Sequence, residues 1–344
     1  MNISSPFVAA YFYNMLKLFG ANSLPFKALS LFVALVIFAI VLAIFISVFA
    51  YVFGWLERKI IARAQARHGP TYVGPFGILQ NLADVIKLFS KENIMPATAD
   101  RPLMATALPI MLAVFVLILA FIPFSSGFVG IGTSLGLLAV FILLSFSPLL
   151  LFLAAWASGN KFSSISAQRA ATVVVSYEVP MLISVLAVVM MAGSFNLSTI
   201  VQSQSHYWYA LLMPIGFVVF FIVLLADLER TPFDMTEADS ELIAGWLNDY
   251  GANYYGLALF LDYTRMFVGT LLVSLLFFGG WLGFSSMPQI LNLMIKVVLI
   301  TIFIMFIRAS LVRMKINHIL RLGWLYLMPL SIINLLITFI VFIK

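Results

Sequence analysis

Residues 227–250, DLERTPFDMTEADSELIAGWLNDY, gather seven carboxylates, one arginine and a proline in a chain where only 9% of residues are charged. Uncharged hydrophobic sequence flanks the stretch on both sides. Carboxylates at this density beside a bilayer must face water, partner groups or a route along which protons move. Both D-x-x-E (Asp234, Glu237) and T-x-x-D (Thr236, Asp239) fit a capping box, so Asp234 or Thr236 is expected to cap a helix starting near Glu237. Glu237 and Glu241 would then stack on one face, where like charges repel unless cations or shared protons lie nearby. A solvated acidic loop is the simpler reading. The apolar continuation LIAGW argues instead for a helix packed at the membrane surface.

Glu178, Asp262 and Arg265 also fall inside apolar runs. Glu178 lies about 13 Å along a helix from Arg169 at 1.5 Å per residue, well below the surface, where a bare carboxylate costs a few kcal/mol. It is either a structural acid bonded to a neighbouring helix or to carbonyls freed by Pro180, or a proton site with a raised pKa. Its place within a span favours the second. Asp262 and Arg265 are spaced to pair on one helix face, which neutralises both and lets the segment insert; Arg265 is equally placed to reach the acids of the preceding loop.

The elements that must hold these groups follow from composition. At 63% hydrophobic with 33 Phe, the chain lies far from a soluble domain, which carries about 25% charged residues. Its apolar runs are continuous, unlike the alternating segments of a membrane barrel, so the expected class is an all-α polytopic membrane protein. Eight spans are expected, at 28–56, 103–122, 133–156, 170–192, 208–226, 256–282, 290–307 and 323–343. Residues 1–24 read as an interfacial helix and not as a cleavable signal. A helical stripe over 78–89 suits a helix lying on the membrane surface. With no repeat and no linker, residues 1–344 are expected to form a single membrane domain.

Lys and Arg set the orientation. Seven follow span one (Arg58, Lys59, Arg63, Arg67, Lys87, Lys91, Arg101), two follow span three and four follow span seven, with Arg230 after span five. The loops after spans two, four and six carry none. The odd loops are therefore expected in the cytoplasm and both termini on the opposite side. Topology accounts for most of these cations, and nucleic-acid binding is not implied. Topology does not account for Gly69-Pro70 and Gly74-Pro75, which fix a tight loop beside Arg67. Cysteine is absent and the three histidines lie far apart, so no metal site and no redox centre of the chain's own is expected.

Four blocks, ERKIIARAQARHGPTYVGPFGILQNLADVIKLFSKE, SGNKFSSISAQRAATVVVSYEVP, ERTPFDMTEADSELIAGWLNDY and RASLVRMKINHILRLGWLYLMPLS, resemble the quinone-tunnel membrane subunit of respiratory complex I and of related archaeal and photosynthetic dehydrogenases. They cover most polar segments in the family's order. The resemblance implies a subunit of a proton-pumping NADH-quinone-oxidoreductase type of enzyme, in an energy-transducing plasma, inner or thylakoid-type membrane. It would join the membrane arm, with its small subunits, to the peripheral arm, whose quinone-site subunit and terminal iron–sulfur subunit supply electrons. Quinone would be the substrate, with no catalytic group contributed by this chain alone. By resemblance Glu57, Arg58, Arg67 and Asp84 line the tunnel, and Glu178, Asp227, Arg230, Asp234, Glu237, Asp239, Glu241, Asp249 and Asp262 form a proton path.

The chain departs from the family pattern in several places. Glu229 and Arg265 stand where the family has Asn, Asp249 and Asp262 where it has Glu, and Asn317-His318 where it has Asp-Gln. The added Glu229 and Arg265 can compensate each other, which implies contact between them. The change at Asn317 touches the basic loop that would meet the peripheral arm. Two other functions are compatible with an oily bundle carrying buried acids. One is the homologous anchor of an energy-converting hydrogenase or formate hydrogenlyase without quinone, against which the ERTPFD, SEL and RLGW blocks speak. The other is a stand-alone transporter, against which the missing inverted repeat speaks.

Overall fold

Backbone amides and carbonyls in lipid have no water to bond, and a helix satisfies them within its own length. The computed structural model describes residues 24–237, 239–283 and 287–342, and all its named elements are helical. In chain order these are α1 (Leu24–Ala64), α2 (Gln80–Ser90), α3 (Arg101–Phe121), α4 (Gly136–Ala157), α5 (Lys161–Ala192), α6 (Leu197–Ser203), α7 (Tyr209–Leu212) and α8 (Pro214–Asp227). They continue with α9 (Asp239–Leu242), α10 (Ala252–Phe277), α11 (Gln289–Ser310), α12 (Ile316–Arg321) and, after a π-helical turn over Leu322–Leu327, α13 (Met328–Phe342). The interfacial helix expected before α1 lies outside the described residues.

Among the described residues, seven helices are long and apolar enough to cross a membrane. The fifth expected span is different. Pro214 disfavours helical backbone at the residue before it, and Met213 is non-helical (φ −130°, ψ 68°). The run 208–226 is therefore broken into α7 and α8, whose 14 residues reach roughly 21 Å, short of the ~30 Å of a hydrocarbon core. At the other extreme, α1 continues past the expected limit at 56. ERKIIARA contains no breaker, and the helix ends only where Ala66 turns left-handed (φ 53°). Glu57 and Arg58 thus stand on a rigid helix.

α10 is the central element: 78% of its most apolar window is buried, more than in any other described span. It packs against α1, α3 and α11 and supports α2 from beneath. Small residues allow α2 to lie close. A Cβ at Gly54 would sit 2.9 Å from the Asn81 amide, and one at Gly256 3.3 Å from Leu88. The apolar stripe of α2 (Leu82, Val85, Ile86, Phe89) is exposed on this chain. The glycine–proline loop before α2 is tight: a Cβ at Gly77 would fall 2.1 Å from the Pro70 carbonyl oxygen. The Tyr51 hydroxyl and the Trp55 indole donate to its Ile78 and Phe76 carbonyls at 2.7 and 3.2 Å.

The acidic stretch differs from its expected form. No long helix begins near Glu237. The α9 helix is a single turn, and Ile243, Ala244 and Gly245 follow with φ of 53°, 67° and 56°, a left-handed run no α-helix can contain. A 3₁₀ turn over Gly245–Asp249 then leads to α10. Gly245 is required here, because a Cβ would lie 1.8 Å from the Thr236 carbonyl oxygen. The Thr236 hydroxyl bonds the Glu229 carboxylate, which ties this stretch back to the end of α8.

Candidate functional site

The end of α1, the start of α10 and the overlying α2 line an open cavity of about 480 Å³. Its wall is mostly apolar, with Val85, Leu88, Phe89, Leu257 and Phe260 among the lining residues. Tyr51, Arg58, Asn81, Asp84, Asn253 and Tyr263 are among its polar groups. Arg58 and Asp84 form an ion pair at 2.6 Å, and Gln80 donates to the second Asp84 oxygen at 3.1 Å. Partial burial acts to raise the Asp84 carboxyl; the Arg58 and Gln80 bonds outweigh it and hold the group below the usual range.

Glu57, one residue from Arg58, faces the other way. It is 3% exposed. It accepts from Arg230 at 2.9 Å and from Arg308 at the end of α11. The Arg230 guanidinium lies over the Tyr263 ring, 5.5 Å from its centroid, so Tyr263 belongs both to the cavity wall and to this charge cluster. Arg67 stands apart, exposed and bonded to Gln65 at 2.8 Å. Of the four residues expected along a tunnel, the fold brings Arg58 and Asp84 to the cavity and Glu57 directly behind it.

The remaining acids divide into an inner and an outer set. Asp262 stands within electrostatic reach of Arg230, Arg265 and Arg308. Arg265, 5% exposed, pairs with Glu229 at 3.4 Å and donates to the Asp227 carbonyl at 3.3 Å and the Ser147 hydroxyl at 3.4 Å. The expected Glu229–Arg265 contact is therefore present, and Arg265 pairs across to the loop instead of along its own helix to Asp262. Asp227 and Glu229 share a small pocket of about 40 Å³ with Glu178, room for a few water molecules. Glu178 is bonded by the Ser145 hydroxyl of α4, not by carbonyls freed at Pro180.

Glu237 and Glu241 do not stack. Glu241 turns outward to Arg169 at 2.6 Å, with Arg313 at 3.8 Å, and these cations hold its carboxyl low. Glu237 turns inward, where burial first and then the neighbouring carboxyls Asp262 and Asp234 push its pKa up to about 8. Burial also raises Glu229, against the pull of Arg265. Asp234 is half-buried near Glu237. Asp249 lies elsewhere, accepting from Asn160 at 3.3 Å and Asn248 at 3.4 Å. Asp239 begins α9, and its side chain lies outside the described part of the structure. Asn317 and His318 are exposed on α12.

A family model described as NADH dehydrogenase matches residues 35–339. The chain belongs to this family. It is 38% identical over 284 residues to the H subunit of NADH-quinone oxidoreductase from Dehalococcoides mccartyi (strain CBDB1), covering 83% of this chain and 80% of the relative. It is 40% identical over 298 residues to the H subunit of F(420)H(2) dehydrogenase from Methanosarcina acetivorans, covering 82% and 86%. The resemblance in the polar blocks is thus a family relationship. The chain is an integral membrane subunit of a complex I-type dehydrogenase.

Three residues of the site carry no clear mark of their role in the sequence. Arg308 reads there as a topological cation, though a cation in the last turn of an apolar span beside a buried acid is a signal for pairing. Tyr263 follows Asp262, and nothing local marks it. Ser145 lies in an apolar run on another helix. Among the described residues no three His, Asp or Glu side chains converge as a metal site.

The Glu229–Arg265 pair predicts a strong coupling. Glu229→Gln and Arg265→Asn should each lower stability by about 3 kcal/mol, the cost of orphaning one partner of a buried pair. The double variant should lose less than the two together, as read from unfolding midpoints of the detergent-solubilised chain; additive losses would show that the two charges do not interact. For Glu237 the sign is that of an acid whose folded pKa is raised. Between its ordinary value of 4.5 and about 8 the folded state retains a proton that the unfolded state has lost, so this group makes stability fall as pH rises through that window. Glu237→Gln should flatten the fall, and an unchanged pH profile of the unfolding midpoint would refute the assignment.

Proposed function

We propose that this subunit receives a lipid-soluble quinone-type carrier in the cavity between α1, α2 and α10, and that reduction of the carrier there acts on the buried acids to begin proton translocation. The observation that carries this reading is Tyr263, shared between the cavity wall and the Glu57–Arg230 cluster. An apolar cleft with a few convergent polar groups suits a flat ring with an oily tail. Arg58 and Asp84 supply fixed charge where the polar head would lie. Electrons would come from iron–sulfur clusters in a peripheral-arm partner. Reduction takes up electrons and protons, and a changed charge beside Tyr263 shifts the proton affinities of Asp262 and Glu237.

From the cluster, Glu229, Asp227 and Glu178 form the next polar groups, and we assign them to the outgoing path. Glu241 and Asp249 lie outside it. We assign the side bearing the basic loops to the cytoplasm, with Arg169, Arg313 and the exposed Arg67 facing a docked peripheral arm. The relatives' names include both NADH-quinone oxidoreductase and F(420)H(2) dehydrogenase at similar identity, so the shared membrane subunit is compatible with different electron donors.

A photoreactive quinone analogue, added to the assembled complex, should label residues lining the cavity on α1, α2 or α10, such as Tyr51, Val85 or Phe260, and unlabelled quinone should compete. Label confined to other subunits would overturn the reading and favour a quinone-free anchor. In the same complex Glu178→Gln should lower proton translocation by about tenfold or more, while Glu241→Gln, altered at an exposed pair, should do far less. Full translocation in both would leave the acids structural.

A further inference from the structure

Lys296 lies about two turns inside α11 and is half-buried. An ammonium at such depth costs a few kcal/mol unless compensated. Among the described residues it makes no ion pair. Backbone surrounds it instead. Its Nζ donates to the carbonyls of Phe278 at 2.7 Å and Gly280 at 2.8 Å and to that of Leu282, and the Trp208 ring centroid lies 5.6 Å away.

The three carbonyls belong to alternate residues of the loop that follows α10, and the shape of this loop has other supports. Gly279 and Gly280 take φ of 68° and 47°. The Gly279 amide donates to Gln204 Oε1 at 2.8 Å, and the Gly280 amide to the Ser274 carbonyl at 2.8 Å. With these amides turned away, three carbonyl oxygens face one point. That is the donor set with which proteins replace the hydration shell of a monovalent cation. An ammonium offers three N–H donors and no acceptor, one for each oxygen. A neutral amine would leave one oxygen unpaired and set its lone pair against another.

We propose that residues 278–282 form a carbonyl cage for a monovalent cation, filled in this protein by the tethered ammonium of Lys296, and that a small free cation takes its place when the side chain is removed. The bound charge counters the carbonyl dipoles at the carboxyl end of α10 and fixes the end of the helix that carries Asp262, Tyr263 and Arg265. Lys296 is a positioning residue, and the cage stands whatever occupies the cavity at the other end of α10.

Lys296→Ala leaves the cage vacant, whereas Lys296→Gln refills it with a neutral side chain. The test is the unfolding midpoint of the full chain in nanodiscs, for both variants, in chlorides of methylammonium, potassium, sodium and choline at equal ionic strength. Both substitutions should lower the midpoint by several degrees. Methylammonium or an alkali cation should restore about half of the loss or more in Lys296→Ala, choline should not, and Lys296→Gln should gain nothing. An unchanged midpoint in either variant, no restoration by any small cation, or an equal response of both variants to every salt would overturn the proposal. Should Lys296→Ala fail to accumulate, the yield of folded chain from cells grown with or without methylammonium is the readout, with the same deciding outcomes.

Discussion

A carboxylate stripped of water persists as an ion only if opposite charge and hydrogen bonds replace what it lost, and the arrangement of this subunit turns on one such group. Glu57 stands on α1, yet its partners Arg230 and Arg308 lie 173 and 251 positions along the chain. One side chain therefore ties together the end of α1, the loop after α8 and the end of α11. Two guanidiniums on one carboxylate leave excess positive charge, and Asp262 stands where it offsets that excess. Removing Glu57 would leave the buried Arg230 without its carboxylate. The cluster is thus a constraint on the fold before it is anything else.

The same pairing logic shows where the cluster is firm and where it is loose. Around Glu57 the contacts are short, with Arg230 at 2.9 Å. Around Arg265 all three contacts lie at 3.3 to 3.4 Å and its buried Nε has no hydrogen-bond partner, beyond the 2.7–3.2 Å usual for N–H···O bonds. The planar guanidinium is thus shared among a carboxylate, a carbonyl and a hydroxyl, and its pairing with Glu229 draws its strength from burial more than from close geometry. Arg265 lies between the Glu57 cluster and the pocket of Glu178.

Much of this was legible in the sequence, and what was not has a physical cause. Apolar runs announce helices, and most spans fell where the runs did. Pro214 broke the fifth, because a proline's effect falls on the residue before it and the unbroken apolar character of the run hides this. The surface helix α2 was visible in its stripe, and the Glu229–Arg265 contact in a pair of charges out of the family pattern. The conformation of the acidic stretch was not, because LIAGW has helical composition, while close packing of Gly245 on the Thr236 carbonyl forces left-handed backbone there. Which acid points in and which points out was equally hidden. Glu237 and Glu241 look alike in sequence, and their environments are set by Arg169 and Asp262, both distant along the chain.

These parts together limit where protons could leave. Beyond Arg265, α10 continues over residues 266–277 with no charged side chain, and its Thr270 and Ser274 hydroxyls bond carbonyls of their own helix. That is about 18 Å of helix without a titratable side chain, its two hydroxyls donating to carbonyls of the helix itself. The next charge, Lys296, is enclosed by carbonyls and carries no free acceptor. Beyond Arg265 the central helix therefore supplies no carboxylate to continue a chain of acids across the bundle. The polar groups that do continue run sideways, through Glu229 and Asp227 to Glu178, whose helix α5 has one exposed face at Val175 and Val179. On the proposed reading, the path that begins at the cavity has to leave this subunit laterally, into whatever membrane partner covers α5.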